Sequence, residues 1–351
     1  MRRYYTRVCN FYYGKESRKL IKKKIALPLN NLKDISFDHI EIITRQSKKK
    51  ILIEKINSLP KLLRKQIHLD LKKIKSKKKN FANLNFQKIP NIMGVLNLTP
   101  DSFSDGGKFN SKKKGIDHAL GMFQSGADII DIGGESTRPG SNAVNKKLEW
   151  NRIKKIIRPI SKKIPISLDT RKSEVMEKGI KCGVRIINDV SGLSHDTKTT
   201  EVIKKYKIPF IIQHSQGTPE NMQNKPRYKN ELLDIYDFFE KKIEFLRSIG
   251  IKHNKIIIDP GIGFGKNLKH NMNIISNISI FHSLGFPVLV GNSRKSFIKK
   301  IAGKNDTKNR IGGTVSSSVY LMMQGVQILR IHDVNELFQG IKVFKELIKN
   351  L

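Results

Sequence analysis

The chain of 351 residues has little cysteine and no long apolar run. Its two cysteines, Cys9 and Cys182, are too few for a disulfide framework, which excludes the small disulfide-rich secreted class and suits a reducing compartment. No apolar stretch reaches the ~18 residues of a membrane span. The start, MRRYYTRVCNFYYG, lacks the apolar core of a secretion signal. We therefore expect a cytoplasmic protein that makes no use of a membrane.

Acidic residues are also scarce, because 30 Asp and Glu face 68 Lys and Arg, giving a formal net charge of +38. Such a balance suggests nucleic-acid binding. However, only 16 of the basic residues are Arg and 52 are Lys. Arg is the residue that suits bidentate recognition of phosphates and guanines. A Lys excess spread over the whole chain, together with many Ile and Asn, indicates coding bias, and we expect no nucleic-acid partner.

The first 88 residues differ from the remainder, with 25 basic and 6 acidic residues. FDHIEIITR (37–45) alternates like a strand, and residues 51–74 carry apolar residues near helical spacing. The block KSKKKN (75–80) is typical of a solvated linker. The sequence predicts a basic, partly ordered N-terminal extension over 1–88 and a second domain over 89–351. The extension could contact a partner or a second copy, bind anions, or be an appendage with little effect on catalysis.

From residue 89 onward, eight short apolar runs rich in Ile and Val recur. They are NIMGVLN, ADIIDIGG, IPISLDT, VRIINDVSG, IPFIIQH, KIIIDPG, FPVLVGN and VQILRIHD. Helical stretches such as 111–126, 230–250 and 314–325 lie between them. Nearly continuous apolar strands alternating with helices indicate a parallel sheet covered by helices. Eight such units in about 260 residues predict a (β/α)8 TIM barrel, with a doubly wound open sheet as the alternative.

Polar residues follow almost every predicted strand. They are Asn97, Asp131, Asp169, Asn188, Asp189, Asp259, Arg330 and His332, with Ser293, Arg294 and Lys295 after strand seven. A parallel barrel has its active site at this edge of the strands. Each residue alone is a weak signal, since a strand-ending Asp such as Asp189 or Asp333 commonly caps the next turn. Their convergence on one rim indicates a functional site.

The residue types on this rim suggest the ligand. Carboxylates and amides at Asp169, Asn188 and Asp259 can accept the N–H edge of a planar heterocycle with an exocyclic amine. Donors and cations, Arg330 and His332 among them, suit a phosphate-rich group. A polyanion beside carboxylates generally calls for Mg²⁺. The sequence has no zinc-ligand spacing, no GxxxxGK[ST] loop and no nucleophile elbow, so no covalent intermediate is required.

Seven motifs together identify a known family. GVLNLTPDSFSDGG, IDIGGESTRPG, SLDTRKSEV, INDVSG, DPGIGFGK, GNSRKS and LRIHDV, in this order over about 90–345, resemble dihydropteroate synthase, the folate-pathway enzyme that sulfonamides inhibit. The resemblance implies a pterin-binding barrel that joins 6-hydroxymethyl-7,8-dihydropterin diphosphate to p-aminobenzoate. It also implies Mg²⁺ as the cofactor and a homodimer as the assembly.

The resemblance further implies roles for individual residues. The implied pterin-binding residues are Asp169, Asn188, Asp259, Lys295, Phe264 and Gln213. The implied diphosphate-binding residues are Asn97, Thr137, Arg138, Arg330 and His332, with Asn97 also the Mg²⁺ ligand. The implied p-aminobenzoate pocket comprises Phe103, Pro139 and Ser293. Asp105 and Arg138 match two mobile loops and are expected, with Lys295, to take part in catalysis.

One loop departs from the family pattern. After strand five the family commonly has Met-His-Met, whereas this chain has Gln213, His214 and Ser215. A Met that usually packs on the pterin is thus replaced by Gln213, which makes that wall more polar while leaving the charged groups intact. We expect pterin affinity to be the property that changes.

Two other functions remain open on the sequence alone. A methyltransferase that uses methyltetrahydrofolate would share the pterin-facing residues, but it ejects no diphosphate and has no use for GGESTRPG or for the Arg330 and His332 pair. A basic nucleic-acid-binding protein with a degenerate barrel would bind with steep salt dependence and show no turnover. The intact motifs favour the synthase, with C–O cleavage that forms a cationic pterin methylene as diphosphate leaves.

Overall fold

The computed structural model describes residues 4–99, 112–136, 140–303 and 306–349. The strands are β1 Tyr5–Tyr13, β2 Leu27–Pro28, β3 Ile35–Ile43, β4 Lys48–Leu52, β5 Asn91–Asn97, β6 Ile129–Gly133, β7 Ile166–Asp169, β8 Ile186–Asp189, β9 Phe210–Gln213, β10 Ile256–Asp259, β11 Leu289–Val290 and β12 Ile328–Ile331. The α-helices are α1 Gly14–Lys22, α2 Lys61–Lys75, α3 Lys112–Gln124, α4 Lys146–Ile160, α5 Ser173–Lys181, α6 Thr199–Tyr206, α7 Glu231–Ser248, α8 Leu268–Ser276, α9 Ser296–Ala302, α10 Ile311–Met323 and α11 Val334–Lys349. Among the described residues, no helix combines the length and the apolar character that a bilayer span needs.

Strands β5 to β12 form one parallel sheet in the order β10-β9-β8-β7-β6-β5-β12-β11. A parallel bridge between Ile258 and Val288 brings the β10 end of this order next to the β11 end, which nearly closes the ring. Each of the eight apolar runs contains one of these strands, and helices alternate with them along the chain. The predicted (β/α)8 barrel is confirmed, as are the helices predicted at 111–126, 230–250 and 314–325.

Side-chain alternation along each strand determines which end of the barrel can hold a site. On β6, Ile130 and Ile132 face the surrounding helices, while Ile129 faces the barrel interior. The interior near the amino ends of the strands is apolar and is filled by Met93, Ile129, Ile186, Ile211, Ile257, Leu289 and Ile328. Leu84 and Phe86, which precede the first barrel strand, pack against this layer. Polar interior residues therefore collect at the opposite, carboxyl end of the strands.

The N-terminal extension has its own sheet and core. Strands β1, β3 and β2 pair antiparallel, and β4 pairs with β3, so the strand predicted at 37–45 is confirmed as Ile35–Ile43. Val8 and Phe37 are fully buried in a core that includes residues of α2. The extension also contacts the barrel, since Ser279 Oγ donates to Val8 O at 2.7 Å. The domain boundary at residue 88 stays a prediction.

Two predictions within the extension are corrected. The helix suggested by the apolar spacing over 51–74 is wrong before Pro60. The chain there forms the end of β4 and a 3₁₀ helix, and α2 begins only at Lys61. Proline holds the residue before it in extended backbone, which ends any helix arriving from the N-terminal side. The prediction of a solvated linker over 75–80 is wrong at Lys78, whose side chain is buried with 5% of the residue exposed. Its Nζ donates to Lys73 O at 3.0 Å and Gly285 O at 2.8 Å, and burial lowers its pKa to about 8.

Candidate active site

An arginine at the end of the last strand organises one side of the barrel mouth. Arg330 Nε donates to Asp131 Oδ2 at 2.6 Å, and Nη2 donates to Asp169 Oδ2 at 2.8 Å. Asn188 Nδ2 donates to the same Asp131 oxygen at 3.0 Å. These residues belong to β12, β6, β7 and β8. Arg330, Asp131 and Asn188 each lie two positions beyond an apolar interior residue, and Asp169 lies two positions beyond Ser167, the register partner of the interior Ile186. Strand alternation therefore aims all four into the barrel.

Burial and charge oppose each other in this cluster. Burial raises the pKa of Asp169, although Arg330 acts to lower it. Burial alone would lower the pKa of Arg330, but the carboxylates of Asp131 and Asp169 outweigh that effect and raise it. The guanidinium is therefore charged and held between two acids. Asp131 is fully buried, so its charge is stabilised chiefly by this pairing.

A carboxylate and an ammonium group form the other side of the mouth. Asp259 ends β10 and is 3% exposed, and burial raises its pKa to about 6 although the Gly261 amide donates to its Oδ1 at 2.8 Å. Lys295 Nζ lies 4.2 Å from the centre of the Phe264 ring. Loss of hydration around this ammonium group, with the charge of Arg330, lowers the pKa of Lys295 to about 8. Both groups can therefore change charge close to neutral pH.

The DPGIGFGK loop holds Phe264 in place through two close backbone approaches. Gly261 and Gly265 both have φ in the left-handed region, at +69° and +61°. A Cβ on Gly261 would collide with the carbonyl oxygen of His214, and one on Gly265 would meet the carbonyl oxygen of Gln216 at 2.5 Å. Only glycine fits these positions, which explains the glycine spacing of the motif.

Gln213 lies beside Asp259. The two residues are register partners of the parallel β9 and β10 pair, so their side chains point the same way. Gln213 is 4% exposed, and its Nε2 has no hydrogen-bond partner in the part of the chain that the structure describes. The same holds for Asp131 Oδ1, Ser167 Oγ and Asn188 Oδ1. Interior polar atoms that lack protein partners are typical of a site that binds a polar ligand.

The remaining predicted residues fall into two groups. His332 Nδ1 lies 3.0 Å from Ser293 Oγ, so these two predicted binding residues are in contact. Asn97 is half-buried at the end of β5, and its Oδ1 flanks Gly133 together with Asp169 Oδ2. Five predicted residues lie outside the described ranges: Phe103, Asp105, Thr137, Arg138 and Pro139.

Asp189 and Asp333, which the sequence left open as turn caps or site residues, have different roles. Asp189 accepts from the Ser191 amide at 2.9 Å and the Leu193 amide at 3.1 Å, so it caps a turn. Asp333 instead pairs with Arg294, whose Nε donates to it at 2.9 Å. The capping interpretation accounts for Asp189, whereas Asp333 holds a neighbouring loop.

Sequence reasoning missed Lys266 and a buried charge cluster next to the site. Lys266 is 2% exposed, and its Nζ lies 3.0 Å from His214 Nδ1 and 2.9 Å from Phe264 O. Burial lowers the pKa of Lys266 to about 7 and that of His214 well below its usual value. The imidazole is therefore neutral and accepts from the lysine, which fixes the base of the loop. The sequence indicated Lys266 only as the last residue of the DPGIGFGK motif.

The missed charge cluster surrounds Glu135. Arg171 Nε donates to Glu135 Oε2 at 2.8 Å, and Lys172 Nζ lies 2.9 Å from Oε1. Glu135 Oε1 also accepts from the Val144 amide at 3.0 Å. Burial raises the pKa of Glu135, but these cations outweigh it and the pKa is lowered. The carboxylate therefore ties together both ends of the 135–144 loop. In the sequence, Glu135 lies in the GGESTRPG motif, and Arg171 and Lys172 lie in the SLDTRKSEV motif.

Taken together, each side of the mouth combines hydrogen-bond acceptors with a cation. Asp259 and Asn188 can accept from or donate to the edge of a flat polar ring, and the Phe264 ring offers it an apolar face. Arg330 and His332 lie towards β5 and β11, where an anionic group could bind. Within the described ranges, no group of three or more His, Cys, Asp or Glu could hold a metal ion.

The barrel region matches a known protein family. Residues 93–332 match the sequence model of the family described as pterin binding enzyme. The matched range begins inside β5 and ends at His332, so it contains most of the barrel and all of the predicted site residues.

Similar proteins and solved structures extend this match. The chain is 42% identical over 254 residues to a dihydropteroate synthase of Synechocystis sp., covering 72% of this chain and 88% of that protein. It is 40% identical over 256 residues to a dihydropteroate synthase of Escherichia coli, covering 72% and 90%. A Yersinia pestis dihydropteroate synthase solved as a sulfonamide drug complex superposes with a TM-score of 0.72 at 38% identity, covering 76% of this chain and 97% of that one. A Xanthomonas albilineans dihydropteroate synthase in complex with 7,8-dihydropteroate gives a TM-score of 0.67 at 30% identity, covering 75% and 95%.

Proposed function

The chain belongs to the dihydropteroate synthases of the pterin-binding enzyme family, and we propose that it joins 6-hydroxymethyl-7,8-dihydropterin diphosphate to p-aminobenzoate. The products are 7,8-dihydropteroate and diphosphate. The observation that carries this proposal is the convergence of Asp169, Asn188, Asp259 and Lys295 around Arg330 at one end of the barrel. Their positions support a pterin site of the predicted composition.

The pterin would bind by its N–H edge. Asp259 and Asn188 offer a carboxylate and an amide aimed into the barrel, and burial raises the pKa of Asp259 although the Gly261 amide donates to it. A ring that donates two N–H groups to this carboxylate would add charge-assisted hydrogen bonds that stabilise its buried charge. Phe264 would stack on the ring, and Lys295, held over Phe264, would donate to a ring acceptor.

The proposed reaction is dissociative. The bond between the pterin methylene carbon and the diphosphate oxygen breaks, and the oxygen keeps the electron pair. The electron-rich ring stabilises the resulting methylene cation. The neutral amine nitrogen of p-aminobenzoate then forms the C–N bond and releases one proton to water. No strong general base is required, because the arylamine is already neutral near pH 7.

Fixed positive charge would stabilise the departing diphosphate. Arg330 is charged and already oriented by Asp131 and Asp169, so it needs no rearrangement to act on the anion. His332, in contact with Ser293, would add a second donor on that side. Thr137 and Arg138 are proposed as further diphosphate contacts, and Phe103, Pro139 and Ser293 as the p-aminobenzoate pocket. Asp105 and Arg138 are proposed to act with the loops that close over the substrates.

The proposed cofactor is Mg²⁺, with Asn97 as its protein ligand. The donor set fits a metal that keeps several waters and binds mainly substrate oxygens, because Asn97 Oδ1 offers one neutral oxygen beside the anion site. When bound, Mg²⁺ would neutralise part of the diphosphate charge. We also propose a cytoplasmic homodimer without a nucleic-acid partner, and the two free cysteines suit that compartment.

The test is turnover of the purified chain with the pterin diphosphate, p-aminobenzoate and Mg²⁺, measuring dihydropteroate and diphosphate together. Equal formation of both, inhibited by a sulfonamide and lost in Lys295→Ala, is the expected result. Diphosphate without dihydropteroate would mean that water captures the cation, which contradicts the proposed arylamine site. Pterin binding without either product would refute the proposed reaction and favour the methyltransferase alternative.

A further inference from the structure

The extension contacts the barrel at the first two turns of α7. Arg45 follows β3, and its Nη1 donates to Asp234 Oδ1 at 2.7 Å while Nη2 donates to Asp237 Oδ2 at 2.6 Å. The Tyr5 hydroxyl donates to Asp237 Oδ1 at 2.7 Å. The exposed fractions of the Arg45, Asp234 and Asp237 side chains are 26%, 27% and 15%. One guanidinium thus bridges two carboxylates in a largely shielded contact, the arrangement in which charge-assisted bonds are strongest.

The second oxygen of Asp234 continues this contact into the loop that precedes α7. Asp234 Oδ2 accepts from the Lys229 amide at 3.0 Å and from the Asn230 amide at 3.2 Å. Asn230 in turn caps the helix, because its side chain accepts from the Leu233 amide at 3.1 Å. One carboxylate oxygen of Asp234 therefore accepts a hydrogen bond from the extension, and the other accepts hydrogen bonds from the end of the 214–230 loop.

The same loop holds the site loop on its far side. The Tyr228 hydroxyl donates to Gly265 O at 2.8 Å, and Gln223 Nε2 donates to Gly263 O at 2.6 Å. The phenylalanine between these two glycines is the one that lies under the Lys295 ammonium group. From Arg45 to the predicted pterin pocket there are thus three hydrogen-bonded steps, through Asp234, the backbone at 228–229 and Gly265.

We propose that Arg45 is a positioning residue for the pterin side of the site. It orients Asp234, and Asp234 holds the 214–230 loop that fixes Phe264 beneath the substrate. This inference rests on the proposed function, because it assumes that Phe264 and Lys295 bind the pterin. The extension then has a role in catalysis even though it precedes all of the family motifs.

Charge explains why removal of Arg45 would be felt at this distance. Asp234 and Asp237 are three residues apart on one helix, where like charges repel. Without the guanidinium, each carboxylate gains by turning towards water. Asp234 would then give up its two amide bonds, and Tyr228 would lose its fixed anchor. Couplings of this kind change binding by about 0.5–2 kcal/mol, which corresponds to roughly 2- to 30-fold.

The experiment compares Arg45→Met with two variants of the same interface in the full chain. Tyr5→Phe removes one hydrogen bond to Asp237 and does not touch Asp234, so it controls for loss of interface stability. Arg45→Lys keeps the charge but cannot bridge both carboxylates. For each chain, Kd for the pterin diphosphate, the KM values and Tm are measured well below the Tm of the weakest variant.

The expected result is a rise of about tenfold in Kd and KM for the pterin diphosphate in Arg45→Met. Arg45→Lys should be intermediate, and Tyr5→Phe should lower Tm while leaving both constants unchanged. If Arg45→Met lowers Tm only, or if Tyr5→Phe changes the constants equally, the contact is structural and the inference is wrong. A chain that binds the pterin diphosphate without forming dihydropteroate would refute the proposed function, while the Kd comparison would still test Arg45.

Discussion

Replacing Arg330 with Met should destabilise the fold in a strongly pH-dependent way. The substitution keeps an apolar stem but removes the one cation shown to bond both Asp131 and Asp169, which are 0% and 5% exposed. Removing one partner of a buried ion pair costs about 3–5 kcal/mol, because the other charge stays buried. We expect the free energy of unfolding to fall by that amount at pH values where the carboxyl group of Asp169 is ionised.

The sign of the pH dependence follows from Asp169. Burial raises its pKa in the folded chain, and loss of Arg330 would raise it further. A carboxyl group whose folded pKa exceeds its unfolded value of about 3.9 holds its proton more tightly when folded. Stability therefore falls as pH rises from the unfolded pKa through the folded one. The deficit of Arg330→Met should be small near pH 4 and reach its full size only above the folded pKa of Asp169.

Urea denaturation at several pH values from about 4 to about 10, a range that includes the folded pKa of Asp169 at about 8, measures this deficit. Arg18→Met is the matched control, because Arg18 pairs with Asp34 at 2.9 Å on the surface, where the two side chains are 53% and 69% exposed. Exposed pairs of this kind contribute about 1 kcal/mol or less. The reasoning would be refuted by an Arg330→Met deficit below that of the control, or by one that is equal at all pH values.

Three further predictions follow from Lys295, Gln213 and Lys78. The kcat/KM for the pterin diphosphate should fall below about pH 6, as Asp259 gains a proton, and above about pH 8, as Lys295 loses one. Lys295→Arg should remove the fall at alkaline pH. If that fall is unchanged in Lys295→Arg, Lys295 is not its source. Gln213→Met should be tolerated, with turnover retained and any change confined to pterin affinity, because the charged groups around it are untouched; a large loss of turnover in steady-state assays would contradict this. Because burial lowers the pKa of Lys78 to about 8, from an ordinary 10.5, the fold should gain stability between these pH values, by at most about 3 kcal/mol. Lys78→Met should abolish that gain in denaturation curves, and a persistent gain would assign it to other lysines.

The sequence alone determined the barrel and the rim on which the site lies. Each barrel strand is covered on both faces, so its apolar character is nearly continuous and can be recognised locally. Interior and exterior side chains alternate, and parallel strands end at the same rim. The polar residues that end the apolar runs, such as Asp169, Asn188 and Asp259, could therefore be grouped without coordinates. The motif glycines could be recognised too, although the reason for Gly261 became clear only from its approach to His214.

Only the tertiary structure decided which groups are partners. Asp131 was visible as the end of a strand, but its bonds to Arg330, 199 residues away, depend on closure of the barrel. The exposure of Lys78 was misjudged, because its acceptor at Gly285 lies 207 residues along the chain. Arg45 gave no signal at all, since it meets Asp234 across 189 residues. Local patterns record which face of an element is buried, whereas hydrogen bonds between distant residues exist only once the packed elements have brought their side chains together.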